Sequence, residues 1–153
     1  MHHVFKQTQE LFSESSDQAL WGDFYYSTAN VANLTFQSGA DATVRNQFIN
    51  NGKLTNGQDT NYRAIDDAYP VFGFAVDLGT VTTMAKSTLF TVGLVQKEAI
   101  QFEGATNQTL NAYWTNYFSN NNALVSDMRK SLIAAALSAN ETMLDFLLLQ
   151  RLR

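Results

Sequence analysis

The chain contains no cysteine, one proline and few charges, with only 16% of its 153 residues ionisable as Asp, Glu, Lys or Arg. Absence of cysteine excludes disulfide staples, thiolate nucleophiles and thiolate metal sites. Histidine is nearly absent as well: the only two, His2 and His3, stand side by side at the start of the chain. A serine triad or a catalytic zinc centre would have to recruit them from a mobile terminus with no third ligand nearby, and both chemistries are rejected on that ground. No metal site and no cofactor is expected. The ten Lys and Arg residues are scattered singly apart from Arg129–Lys130 and the Arg151/Arg153 pair, and the net charge is −4. Nucleic acid needs a clustered basic footprint, so it is not an expected partner. Long apolar runs are lacking too. Met1–Lys6 has no apolar core of signal-peptide length, and Leu144–Leu149 is broken by Asp145 and too short to span a bilayer, so no membrane association is expected.

What the chain does have is 45% apolar residues and abundant aromatics, enough to bury a core and to exclude bulk disorder. The first two thirds read as β-structure. Gly22–Ser27 is a strand behind the turn-rich Ser13–Asp17, Leu34–Gln37 is a second, and Ala42–Phe48 is read as a third although it lacks a clean period. Asn50–Arg63 is a polar loop whose Asn51-Gly52 and Asn56-Gly57 dipeptides tolerate positive φ. In the next strand Phe72, Phe74, Val76 and Leu78 share one face and Val71, Gly73, Ala75 and Asp77 the other, with Pro70 at its start, where a missing N–H is tolerated. Ser87–Gln96 repeats the pattern with Phe90, Val92 and Leu94, and Ala99–Phe102 reads as its hairpin return. From Asn122 the period changes: Val125, Met128, Leu132, Ala136, Ala139, Met143 and Phe146 recur at helical steps, predicting a long amphipathic helix over 122–148. The fold class expected is mainly β: an antiparallel β-sandwich, partial, followed by a long C-terminal amphipathic α-helix.

The stretch Gln37–Asp77, QSGADATVRNQFINNGKLTNGQDTNYRAIDDAYPVFGFAVD, closely resembles the fungal glutaminase A-like family, in the β-sandwich domain that precedes its helical catalytic region. The resemblance continues through Leu78–Val81, Thr91–Val95 and Tyr113–Tyr117 and back to Ser15–Tyr26, about three quarters of the chain. It implies a parent several hundred residues long. On that reading residues 1–118 are part of the sandwich domain and 119–153 are the start of a helical domain resembling an (α/α) toroid. It also implies a secreted hydrolase acting on L-glutamine, extracellular or at the cell wall, with this fragment non-catalytic and the chemistry elsewhere in the parent. Three glycosylation sequons, at Asn33, Asn107 and Asn140, agree with the secretory route.

No residue of the chain matches a catalytic residue of that family. The fallback candidates lie in the most distinctive segment: Arg45, Arg63, Asp66 and Asp67. Adjacent carboxylates can hold a cation or supply acid and base, but neighbours on a strand point to opposite faces and no calcium-loop spacing is present. Arg45 and Arg63 can clamp an anion bidentately, or pair with Asp41, Asp66 or Asp67 to fix the loop, which is the commoner use on a β-scaffold. Trp21, Tyr25, Tyr26, Tyr62, Tyr69, Tyr113, Trp114 and Tyr117 can stack on sugars or fill a core, and their alternation with apolar positions suits the core better. Two other functions are compatible with these residues: a stand-alone β-sandwich module binding a glycan or a protein, and an accessory domain of a glycoside hydrolase-like enzyme. An incomplete sandwich would leave Phe72, Phe74, Phe90, Val92, Leu132 and Met143 short of contacts and favour self-association.

Overall fold

The structure is a computed structural model that describes residues 1–83 and 87–132. Its strands, in chain order, are β1 (His2–Phe5), β2 (Glu14–Ser15), β3 (Gln18–Ala19), β4 (Asp23–Thr28), β5 (Leu34–Ala40), β6 (Pro70–Val76), β7 (Phe90–Val95), β8 (Glu98–Phe102) and β9 (Gln108–Asn111); a helix α1 (Asp41–Asn51) follows β5. A 3-10 turn covers Tyr113–Asn116, and residues 121–132 are α-helical. All strand pairing between these elements is antiparallel, in the order β1-β4-β7, β2-β3, β5-β6 and β8-β9. The molecule is mainly β, and it divides into two compact units: Met1–Thr28 with the chain from Leu89 onward, and Ala29–Thr88.

In the first unit the opening residues are not a loose terminus. β1 lies on the edge of β4 in register His2↔Tyr26 to Phe5↔Asp23, while β7 takes the other edge from Asp23↔Val95 to Thr28↔Phe90. The mobility expected of His2 and His3 is therefore corrected: Val4 and Phe5 give the segment strand propensity, and its inward-facing amides pair with the β4 backbone. The tight β2–β3 hairpin turns through Ser16 and Asp17, both at positive φ (52° and 61°), as the turn-rich Ser13–Asp17 segment requires. β8 pairs with β9 and not with β7, so Ala99–Phe102 is half of a later hairpin. The core of this unit is Tyr25 and Val95 from the sheet with Leu124 and Val125 from the helical stretch, flanked by Trp114 and Phe118. Asn120 caps that helix, its Oδ1 accepting the Ala123 N–H at 2.9 Å. The expected helix over 122–148 is described only as far as 132; Ala136, Ala139, Met143 and Phe146 lie outside the described residues.

In the second unit β5 and β6 pair from Leu34↔Val76 to Ala40↔Pro70. The expected strand over Ala42–Phe48 is instead α1. Its polar sequence has no alternation because a single residue, Val44, is buried, while Phe48 and Ile49 face solvent. Arg45 reaches back one turn to Asp41, and Gly52, at φ 63°, ends the helix with its N–H on the Phe48 carbonyl at 2.8 Å. Val44, Leu54 and Ala75 form this unit's core with Val71 beside them. The covered face of β6 is thus the small-residue one, since a helix packs closely on Val71, Gly73 and Ala75. The polar loop after α1 runs alongside β5: Thr35 Oγ1 accepts the Leu54 N–H at 3.0 Å, buried Gln37 the Thr55 N–H at 3.3 Å, and Ser38 the Asp59 N–H at 2.8 Å.

Within each unit the buried face of the main sheet is covered by helix. A sandwich is built of sheet on sheet, and that layering is not what these two cores contain. The opposite faces are exposed: Phe24 49%, Phe90 41%, Val92 77% and Leu94 42% in the first unit, Phe36 38% and Phe72 40% in the second.

Candidate functional site

Alternation along β4 sends Asp23, Tyr25 and Ser27 to one face, and the register sets His3 opposite Tyr25. The two rings stack at 4.6 Å with an interplanar angle of 4°. His3 Nε2 lies 3.4 Å from Asp23 Oδ2, which also accepts the Asn121 side-chain amide at 2.7 Å, while Asp23 Oδ1 accepts the Gln9 amide at 3.1 Å. Gln9 in turn accepts the Gly22 N–H at 2.8 Å. One half-buried carboxylate therefore ties the first strand, the loop after it and the start of the helical stretch together. Burial pushes the Tyr25 phenol above its ordinary range, Asn121 hydrogen bonding pulls the other way, and the Asp23 charge adds to the rise.

Beyond this network a cavity of about 620 Å³ opens, walled by Tyr25, Trp114 and Phe118 and rimmed by Lys97, Asn111 and the 119–122 segment. The 3-10 turn positions the indole: Ala112 donates its N–H to the Lys97 carbonyl at 2.7 Å, and Trp114 Nε1 donates to the Gln96 carbonyl at 3.2 Å. Among the described residues, the side chains of Lys97, Asn111 and Asn122 make no hydrogen bond or ion pair. The hydroxyls in the wall are not poised for attack. Thr115 donates to the Ala112 carbonyl at 2.7 Å, Asn120 donates to Ser119 at 3.2 Å, and neither hydroxyl is bonded to His3 among the described residues. The arrangement is suited to holding a polar molecule against aromatic faces. A positioned nucleophile and base would be needed for covalent chemistry.

The residues singled out from the sequence lie in the other unit. Arg45 is exposed and paired with Asp41 on α1. Arg63 is 10% exposed and makes three bonds that pin its loop: Nη1 donates to Asp59 Oδ2 at 2.7 Å and to the Asn61 carbonyl at 2.9 Å, and Nε donates to the Asp67 carbonyl at 3.0 Å. The Asn61 N–H and then the Arg63 guanidinium hold the Asp59 carboxyl below its ordinary range. Asp66 and Asp67 are exposed, and Asp67 serves Arg63 through its backbone carbonyl. Asn33 is exposed with its amide on the Asp77 carbonyl, Asn107 is exposed in the β8–β9 turn, and Asn140 lies outside the described residues. Sequence reasoning missed the grouping of His3, Asp23 and Asn121. The signal for one part of it was present: an Asn120-Asn121-Asn122 run directly before the helical period is a helix-start pattern.

Residues 1–145 match the profile of the domain of unknown function DUF5127. The chain belongs to this family. It is 46% identical over 137 residues to glutaminase A of Aspergillus oryzae, a match covering 88% of this chain and 20% of the relative. A second relative, "Probable glutaminase/05536" of Arthroderma benhamiae, is 26% identical over 155 residues, covering 93% of this chain and 18% of that protein. The DUF5127 chain thus spans about a fifth of the length of the curated relatives it matches. No solved structure matches it.

Proposed function

We propose that this DUF5127 chain is a portion of a secreted glutaminase A-like amidohydrolase, itself non-catalytic, whose whole protein converts L-glutamine to L-glutamate and ammonia. The observation that carries the reading is the 46% identity to a protein named glutaminase A, within a match that takes up only 20% of that protein. Hydrolysis of a side-chain carboxamide passes through a tetrahedral species and needs an activated nucleophile together with donors for the oxyanion. The reading assigns those groups to the remaining four fifths of the parent, and it assigns no cofactor. In the same reading residues 1–118 belong to the parent's β-rich domain and 119–153 lead into its helical one. The extracellular or cell-wall location is proposed on the exposure of two sequon asparagines, Asn33 and Asn107.

Ammonia release from L-glutamine tests it directly, measured for the purified chain and for the full-length parent. The expected outcome is release by the parent and none above buffer by the chain. Turnover by the chain that survives repurification would overturn the non-catalytic assignment, and substitution of Arg45, Arg63, Asp66 and Asp67 would then be the first search for its site. A parent that hydrolyses a glycoside and leaves glutamine intact would overturn the amidohydrolase reading.

A further inference from the structure

We propose that the cavity beside the His3–Asp23–Asn121 network is a binding site for a neutral sugar, a hexopyranose ring or the end of a short oligosaccharide. This goes beyond the amidohydrolase reading and does not depend on it. Trp114 spends its only hydrogen-bond donor on the Gln96 carbonyl, so what its ring can offer a ligand is an apolar face in a fixed orientation. Its other contacts are with the buried cluster of Tyr25, Val95, Leu124 and Val125, which supports the ring and limits its freedom to collapse into the space. Sugars present an apolar face of C–H groups and a periphery of hydroxyls, and an apolar wall with a few placed polar groups is what recognises such a molecule.

The polar rim supplies the second half. Asn111 and Asn122 each present an amide with both donor and acceptor, and neither is committed to another group among the described residues. A side-chain amide matches two adjacent hydroxyls, one accepting and one donating. Lys97 adds donors only.

Charge decides between ligand classes. A free α-amino acid such as L-glutamine carries an ammonium that needs a carboxylate to receive it. The carboxylate in the cavity lining is Asp23, whose Oδ1 already accepts from Gln9 and whose Oδ2 accepts from Asn121 with His3 alongside, so a ligand ammonium would have to share those oxygens with three neighbours. An anionic ligand would rest on Lys97 alone, and one exposed, solvent-screened ammonium contributes little. A neutral, hydroxyl-rich ligand makes neither demand. The volume, about 620 Å³, lies within the ordinary range for small-ligand pockets. Because the Asp23 network fixes its wall before any ligand arrives, little ordering is needed on binding.

The test is a fluorescence titration of the purified chain carrying Trp21→Phe, so that Trp114 is the only indole. The titrants are methyl glucoside, methyl mannoside, N-acetylglucosamine, cellobiose and chitobiose, with L-glutamine, L-glutamate and glycerol as controls. Saturation-transfer NMR on the unmodified chain reports the same binding without mutation. The expected result is saturable binding of at least one sugar in the millimolar range, no saturation by the controls, and a loss of affinity of about tenfold for Asn111→Ala. Asn111 is exposed, so that variant leaves the core intact. In NMR, Trp114→Phe keeps the ring's packing and should bind more weakly, and Trp114→Ala should abolish binding. Three results would each overturn the proposal: no saturable response to any of the sugars, binding indifferent to both Asn111→Ala and Trp114→Ala, or saturation by glutamine or glutamate and not by sugar.

Discussion

Arg63 shows how a residue that looks catalytic in a sequence is spent on structure. Its guanidinium bridges Asp59, the Asn61 carbonyl and the Asp67 carbonyl, which fixes a polar segment that has almost no apolar burial of its own. The consequence is pH-dependent. The Asp59 carboxyl is held below its ordinary value of 3.8, first by the Asn61 N–H and then by Arg63. A folded-state pKa below the unfolded one means the ionised form is bound more strongly in the fold. The stabilisation is therefore fully present above the unfolded value and is lost as pH falls through the folded one. Carboxyl NMR should show Asp59 titrating with a midpoint below 3.8, and Asp59→Asn should flatten the acid limb of the urea midpoint against pH. Glycine gives a second residue-scale prediction. A Cβ at Gly22, φ 101°, would lie 2.7 Å from Gln96 Cγ, 2.9 Å from Leu94 Cδ1 and 3.1 Å from the Val95 carbonyl; at Gly52, φ 63°, it would meet nothing within 4 Å. Gly52→Ala should cost about 1 kcal/mol through backbone strain alone. Gly22→Ala adds the overlap and should cost more than about 2 kcal/mol in a urea melt.

At the scale of elements, the strands with clean alternation were legible: β4, β5, β6 and β7 fall where the patterns at Gly22–Ser27, Leu34–Gln37, Phe72–Leu78 and Ser87–Gln96 put them. Helix α1 was not, because one buried residue in eleven leaves no periodic stripe to read. The Asp41–Arg45 spacing and the Gly52 stop were its signals. Nor could alternation say which face of β6 is covered, since that depends on α1 packing against Val71, Gly73 and Ala75. The cavity was illegible for a related reason. His3, Asp23, Asn111 and Asn121 are brought together by strand register and helix capping, and none of those spacings exists along the chain. The exposed apolar faces carry a prediction here. Val92, on an outer strand of its sheet and 77% exposed, is expected to join contacts between copies. Light scattering over a concentration series should show self-association that Val92→Lys reduces, with the urea midpoint moved by no more than about 0.5 kcal/mol equivalent. A strictly monomeric unsubstituted chain at every concentration would count against it.

For the molecule as a whole, the order of the units along the chain has its own consequence. The first unit leaves off at Thr28 and resumes at Leu89, and there the chain closes on itself: Thr28 pairs with Phe90 across β4 and β7, and the Thr28 hydroxyl donates to the Leu89 carbonyl at 2.8 Å. Everything from Ala29 to Thr88 therefore enters and exits through one gap no wider than a hairpin. That is the topology of an inserted module. Two adjoining strands need only a two-residue turn, so replacing 29–89 by Asn-Gly, which leaves two residues between the paired Thr28 and Phe90, should yield an ordinary β4–β7 hairpin with the cavity's lining residues all retained. The excised piece carries its own small core and should be assessable apart. The chain can thus be taken apart at a seam it already possesses, and sugar binding can be assayed on the half that would own it.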